Sequence, residues 1–134
     1  MDALYQKQIL QFAQQSRTRN FDPSAPLQAS HNNPTCGDRV DISFSCTDGA
    51  IHNIGVSVRG CALCEAGAGL LLKNFEGAST ADARKMTADF SNWIAKRSKD
   101  APNEDMAMFV PVREFRNRQK CVLLAFDAAI KAMD

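Results

Sequence analysis

The sequence predicts an α+β fold: a small antiparallel sheet built on one hairpin, with about five helices packed on it. Two observations carry this expectation. Residues 40–58 alternate apolar and polar side chains with the period of a strand, broken once by Thr47-Asp48-Gly49. The stretches on either side space their apolar residues as helices do.

The first helix is expected over 3–16, where Leu4, Tyr5, Ile9, Phe12, Ala13 and Ser16 share a face. Residues 17–38 hold Pro23, Pro26 and Pro34, which fix φ and remove donors, so they read as a long irregular connection. Val40, Ile42, Phe44 and Cys46 then form the inner face of a strand, with Cys46 expected in the core. Asp48-Gly49 supplies the turn, and Ile54, Val56 and Val58 face inward on the return strand. That strand delivers the chain to Gly60-Cys61. A helix rich in alanine and glycine follows from Ala62 to about Phe75, and Gly77 ends it. Ser79-Thr80-Ala81-Asp82 resembles a capping box opening the next helix, whose inner face holds Met86, Phe90, Trp93 and Ile94. Residues 101–117 are interrupted by Pro102 and Pro111 but are too apolar for a free linker, and read as a short helix or turn on the body. Arg118 to Met133 reads as the last helix, with Cys121 at its start.

At 134 residues the chain is expected to form one domain, 1–134, long enough to bury a core. A net charge of +1 argues against nucleic acid or a membrane surface as partner. No apolar run approaches a membrane span, and the polar stretch around Asp2, Gln6 and Lys7 lacks the apolar centre of a signal peptide. The expected location is cytoplasmic.

Five cysteines, Cys36, Cys46, Cys61, Cys64 and Cys121, argue against a disulfide framework and for metal binding or thiol chemistry. Cys36 falls in a tight loop before the first strand, and Cys61 and Cys121 at or near helix N-termini, where positive potential favours the thiolate. Asp38 lies two residues beyond Cys36, across Gly37. Three thiolates and this carboxylate would complete a tetrahedral zinc site or hold iron in a cluster. Cys61-x-x-Cys64 alone is open to other readings: half of a zinc ribbon, a redox pair, or chance. His31 and His52 are expected to be solvated rather than ligating.

Asn33-Pro34-Thr35-Cys36-Gly37-Asp38-Arg39, then Gly60-Cys61-Ala62-Leu63, then Arg118-Gln119-Lys120-Cys121 resemble the NifU/IscU/SufU family of iron–sulfur cluster assembly proteins. The long separation of Cys61 from Cys121, and Lys120 before the last cysteine, tilt the resemblance to the SufU branch. It implies an IscU/SufU-like fold, in which a short third strand can join the two main strands of the hairpin. It implies Cys36, Asp38, Cys61 and Cys121 as metal ligands for zinc, or alternatively an iron–sulfur cluster. Cys121 becomes the sulfur acceptor, and Arg118 a nearby basic residue that steers the partner or the persulfide. The implied partners are a cysteine desulfurase and downstream cluster-assembly or carrier proteins. Cys64 and Glu65 depart from the family pattern, and four roles stay open for Cys64: replacing Asp38 as fourth ligand, accepting persulfide, forming a labile disulfide with Cys61, or none. Two rivals stand beside this reading: a small structural zinc module, and a thiol–disulfide protein built on Cys61 and Cys64.

Overall fold

A computed structural model of the chain describes residues 3–35 and 37–134. The expected sheet and helices are present, and the sheet has a full third strand. The elements run α1 (Ala3–Gln15), β1 (Leu27–Asn33), β2 (Asp38–Thr47), β3 (Ala50–Arg59), α2 (Ala62–Phe75), α3 (Thr80–Ile94), a 3-10 helix (Asp105–Glu114) and α4 (Arg116–Met133). The strands form one antiparallel sheet in the order β1-β2-β3. Helix α4 packs on β1 and β2, and α2 lies between α1 and α4.

β1 overturns the expectation of an irregular 17–38 connection. Its residues pair from Leu27 opposite Phe44 to Asn33 opposite Asp38. Leu-Gln-Ala-Ser-His-Asn-Asn alternates only over Leu27 to Ser30 before three polar residues follow, too short a run to announce a strand. The backbone ladder to β2 and the cover supplied by α4 make it one. His31 consequently lies within this strand, opposite Val40, and not in a loop.

The β2–β3 hairpin closes on a two-residue turn. Asp48 and Gly49 take φ of 53° and 78° between the paired Thr47 and Ala50, the mirror-image geometry that matches strand twist. The register slips once: Ser43 faces Gly55 and Ser45 faces His52, so Phe44 stands against Asn53 and Ile54. Asn53 absorbs the extra residue at φ 57°. Cys46 lies past this bulge and is exposed, a correction to its expected place in the core. β1 begins opposite Phe44, so the sheet has only two strands at Cys46, which lies on its open edge.

The small residues of α2 are a packing device. Ala66, Gly67, Ala68 and Gly69 are all buried. A Cβ on Gly67 would come within 2.2 Å of the Val122 carbonyl oxygen of α4, and one on Gly69 within 1.9 Å of the Phe12 carbonyl oxygen of α1. Glycine's low helix propensity is thereby offset by backbone-close contact on two sides. Ser79 caps α3 as expected, its hydroxyl accepting from the Asp82 N–H at 3.0 Å, an interaction worth about 1 kcal/mol.

Residues 76–117 are anchored by aromatic packing. Phe90 lies 5.1 Å from Phe126 and 6.0 Å from Phe109, centroid to centroid, while Phe75 meets Phe126 edge-on. Arg113 stacks on Trp93 at 4.7 Å and donates to its carbonyl oxygen at 2.8 Å.

Candidate metal centre

Three parts of the fold bring side chains to one point. Asp38 opens β2, Cys61 and Cys64 sit at the start of α2, and Cys121 comes from α4. Their donor atoms all lie within 4.8 Å of one another. Asp38 is at the centre: its Oδ2 accepts from the Cys64 thiol at 3.2 Å and from the Cys121 thiol at 3.3 Å. The thiols of Cys61 and Cys64 are 3.9 Å apart.

Each position has a local cause. Gly37, at φ 74°, lets the chain turn from Asn33 into β2, with its N–H bonded to the Asn33 carbonyl oxygen at 2.9 Å. Gly60 sits against the cluster, where a Cβ would fall 3.0 Å from Cys64 Sγ and 3.1 Å from the Asp38 carboxyl. Cys61 is the N-cap of α2 in an extended conformation. Cys64 follows one helical turn later, on the same face. Cys121 is the sixth residue of α4, which starts at Arg116. The expectation of a helix N-terminus at Cys121 is therefore corrected: it sits in the second turn, beyond the reach of the terminal N–H groups.

The three thiols differ accordingly. Cys61 is pulled down to about 5, first by the Cys64 thiol that donates to it, against the opposing effect of its own partial burial, and with help from the Cys64 and Leu63 N–H groups. Cys64 is held strongly upward because its proton is shared with Cys61, and because burial and Asp38 favour the neutral thiol. Burial and the Asp38 contact push Cys121 up to about 12. In the metal-free protein, then, the cluster carries a thiolate at Cys61 and thiols at Cys64 and Cys121. Iodoacetamide at neutral pH is expected to alkylate Cys61 well before Cys64 or Cys121, read by peptide mass spectrometry. Cys61 keeps its rate as pH falls until it approaches about 5, where the thiolate protonates. Prior modification of Cys121 would refute this order.

Three cysteine sulfurs and a carboxylate packed this closely demand protons or a cation. The donor set is that of zinc or an iron–sulfur site, soft sulfur with one carboxylate. Among the described residues, Asp38, Cys61, Cys64 and Cys121 could hold such an ion.

Of the residues singled out in the sequence, Asp38, Cys61, Cys64 and Cys121 converge. Cys36 lies outside the described residues. Arg118 is exposed, with its guanidinium over the Phe115 ring at 4.5 Å, and Lys120 is also exposed. Glu65 holds Arg17 through two hydrogen bonds of 2.7 and 2.9 Å, tying the turn after α1 to the first turn of α2. His52 bonds Glu76 at 3.1 Å, away from the cluster. Sequence reasoning understated Cys64. Its i+3 spacing from Cys61 was the available signal, since that spacing places both thiols on one side of a helix start.

An α+β fold that gathers thiols and one carboxylate at the start of a helix defines a thiol-based metal-site protein. The model of the NifU-like N-terminal domain matches residues 4–122, and the chain belongs to that family. It is 24% identical over 135 residues to the zinc-dependent sulfurtransferase SufU of Bacillus subtilis, covering 99% of this chain and 91% of that one. It is 27% identical over 104 residues to the iron–sulfur cluster assembly scaffold protein IscU of Streptococcus pyogenes, covering 76% and 65% respectively. A solved NifU-like N-terminal structure from Brucella abortus superposes with a TM-score of 0.84 at 26% identity, over 96% of this chain and 91% of that one. No helix among the described residues is long and apolar enough to cross a membrane.

Proposed function

We propose that this protein works in iron–sulfur cluster assembly, accepting persulfide sulfur from a cysteine desulfurase and passing it on or building a cluster with it. The observation that carries this is the meeting of Asp38, Cys61 and Cys121 at one point of a NifU-like fold. In this reading Cys36, Asp38, Cys61 and Cys121 hold zinc, with a nascent iron–sulfur cluster as the alternative occupant. Bound zinc supplies a positive charge that keeps the thiolates deprotonated and shields them from oxidation.

Cys121 is the acceptor. With zinc bound, Cys121 would already be a thiolate and would need no base, while Asp38, whose Oδ2 lies 3.3 Å from its sulfur, would share the ion with it. The freed thiolate attacks the outer sulfur of the donor's persulfide. One S–S bond forms on Cys121, the donor's S–S bond breaks, and the donor leaves as a thiolate with no net oxidation. Asp38 thus organises the cluster, its Oδ2 facing the sulfurs of both Cys64 and Cys121. Arg118 and Lys120, exposed on the first turns of α4, offer positive charge to the approaching persulfide or its protein. Residues 1–134 act as one domain, in the cytoplasm, as a stoichiometric sulfur acceptor rather than a turnover enzyme. Downstream carriers receive the product.

The test combines metal analysis with transfer. Protein purified without added iron is expected to contain zinc near one per chain. Incubated with the host's cysteine desulfurase and cysteine, it raises sulfide or alanine production and gains the mass of one sulfur atom. Absence of both stimulation and sulfur gain would sink the proposal.

A further inference from the structure

We propose that Cys64 is itself a working ligand of the metal site, a donor beyond the three-cysteine, one-aspartate set, so that the ion can be held without Cys36. The inference rests on the reading of the cluster as a metal site. It concerns a residue that departs from the family pattern and that the proposed sulfur transfer does not use.

The geometry points to this role. A tetrahedral ion bound to sulfur at about 2.3 Å and oxygen at about 2.0 Å sets sulfur–sulfur edges of about 3.8 Å and sulfur–oxygen edges of about 3.5 Å. Cys61 Sγ and Cys64 Sγ are 3.9 Å apart, already such an edge. Cys64 Sγ lies 3.2 Å and Cys121 Sγ 3.3 Å from Asp38 Oδ2, close to the mixed edge. The described side chains alone therefore supply three sulfurs and an oxygen within 4.8 Å of one another.

The surroundings of Cys64 are also those of a ligand rather than a space-filling thiol. It is wholly buried, yet its sulfur faces a carboxylate and another sulfur. Gly60 has no side chain where a Cβ would crowd both Cys64 Sγ and the Asp38 carboxyl, so the backbone preserves their contact. Binding the ion releases the Cys64 thiol proton to solvent. With Cys64 in the set, Asp38, Cys61 and Cys64 still hold the ion while Cys121 carries sulfur.

Cobalt(II) titration tests this, because near-ultraviolet thiolate-to-cobalt absorption scales with the number of bound thiolates. Cys36→Ser is expected to keep a three-thiolate intensity and an affinity, by chelator competition, within about tenfold of the wild type. Cys36→Ser combined with Cys64→Ala is expected to drop to two thiolates and to lose more than about tenfold in affinity, since even outer-shell partners are worth that much. Circular dichroism of the metal-free forms checks the fold, and Cys36→Ala serves as a second background. A two-thiolate spectrum in Cys36→Ser or Cys36→Ala alone overturns the role of Cys64 and leaves the metal site standing. Failure of the wild-type chain to bind cobalt or zinc overturns both.

Discussion

Cys121→Ala is expected to reduce desulfurase stimulation to the rate of the desulfurase alone and to abolish sulfur gain by the protein. The loss is chemical rather than structural. Cys121 lies within α4, where alanine is the best helix former. Removing its sulfur takes one donor from Asp38, and Cys64 still donates to the same oxygen at 3.2 Å. The fold survives, while the atom that forms the new S–S bond is gone. Cys46→Ala is the matched control. That thiol is exposed at the far end of the hairpin, past the bulge, and its removal leaves stimulation intact. Stimulation by Cys121→Ala equal to the wild type would end the acceptor role.

Gly67→Ala is expected to destabilise the protein by about 3 kcal/mol, at the upper end of overpacking costs. In an exposed helix the same change would stabilise by roughly 1 kcal/mol. Here the new Cβ would lie 2.2 Å from the Val122 carbonyl oxygen and 3.1 Å from its carbon, and backbone cannot step aside as a side chain can. Val122 follows Cys121 directly, so relief of the clash moves α4 and draws Cys121 away from Asp38. Urea unfolding and zinc content are expected to fall together. Gly77→Ala separates the two effects: its Cβ meets open space, and only the φ of 80° resists it, at a cost of about 1–2 kcal/mol with zinc binding unchanged. A Gly67→Ala protein as stable as the wild type would show that α2 and α4 are less tightly set than their contact indicates.

Much of the fold was legible because its signals are local. Asp48-Gly49 between two alternating runs demands a mirror-image turn, and the structure has it. Ser79 three residues before Asp82 marks a helix start, and the hydroxyl caps it. β1 was not legible, because Leu27–Asn33 become a strand only by pairing with β2 under the cover of α4. Cys46 misled for the opposite reason. Its alternation is sound, but burial depends on what lies across the sheet, and β1 ends before reaching it. Cys121 was placed at a helix start because the last helix was expected from Arg118, whereas α4 begins at Arg116 and puts Cys121 in its second turn.

For the site, residue order alone settles the supply of donors: five cysteines, one of them two residues before an aspartate, and a glycine ahead of Cys61. These are covalent facts, and the family to which the chain belongs can be read from them. The tertiary structure decides which donors meet. It sets Asp38 between Cys64 and Cys121, brings Cys64 into the cluster as a full member, and leaves Cys46 outside. The physical reason is that periodicity fixes a side chain's direction only within its own helix or strand. Whether directions from β2, α2 and α4 converge depends on how closely those elements pack, and that closeness is set where Gly60 and Gly67 leave no room for a Cβ.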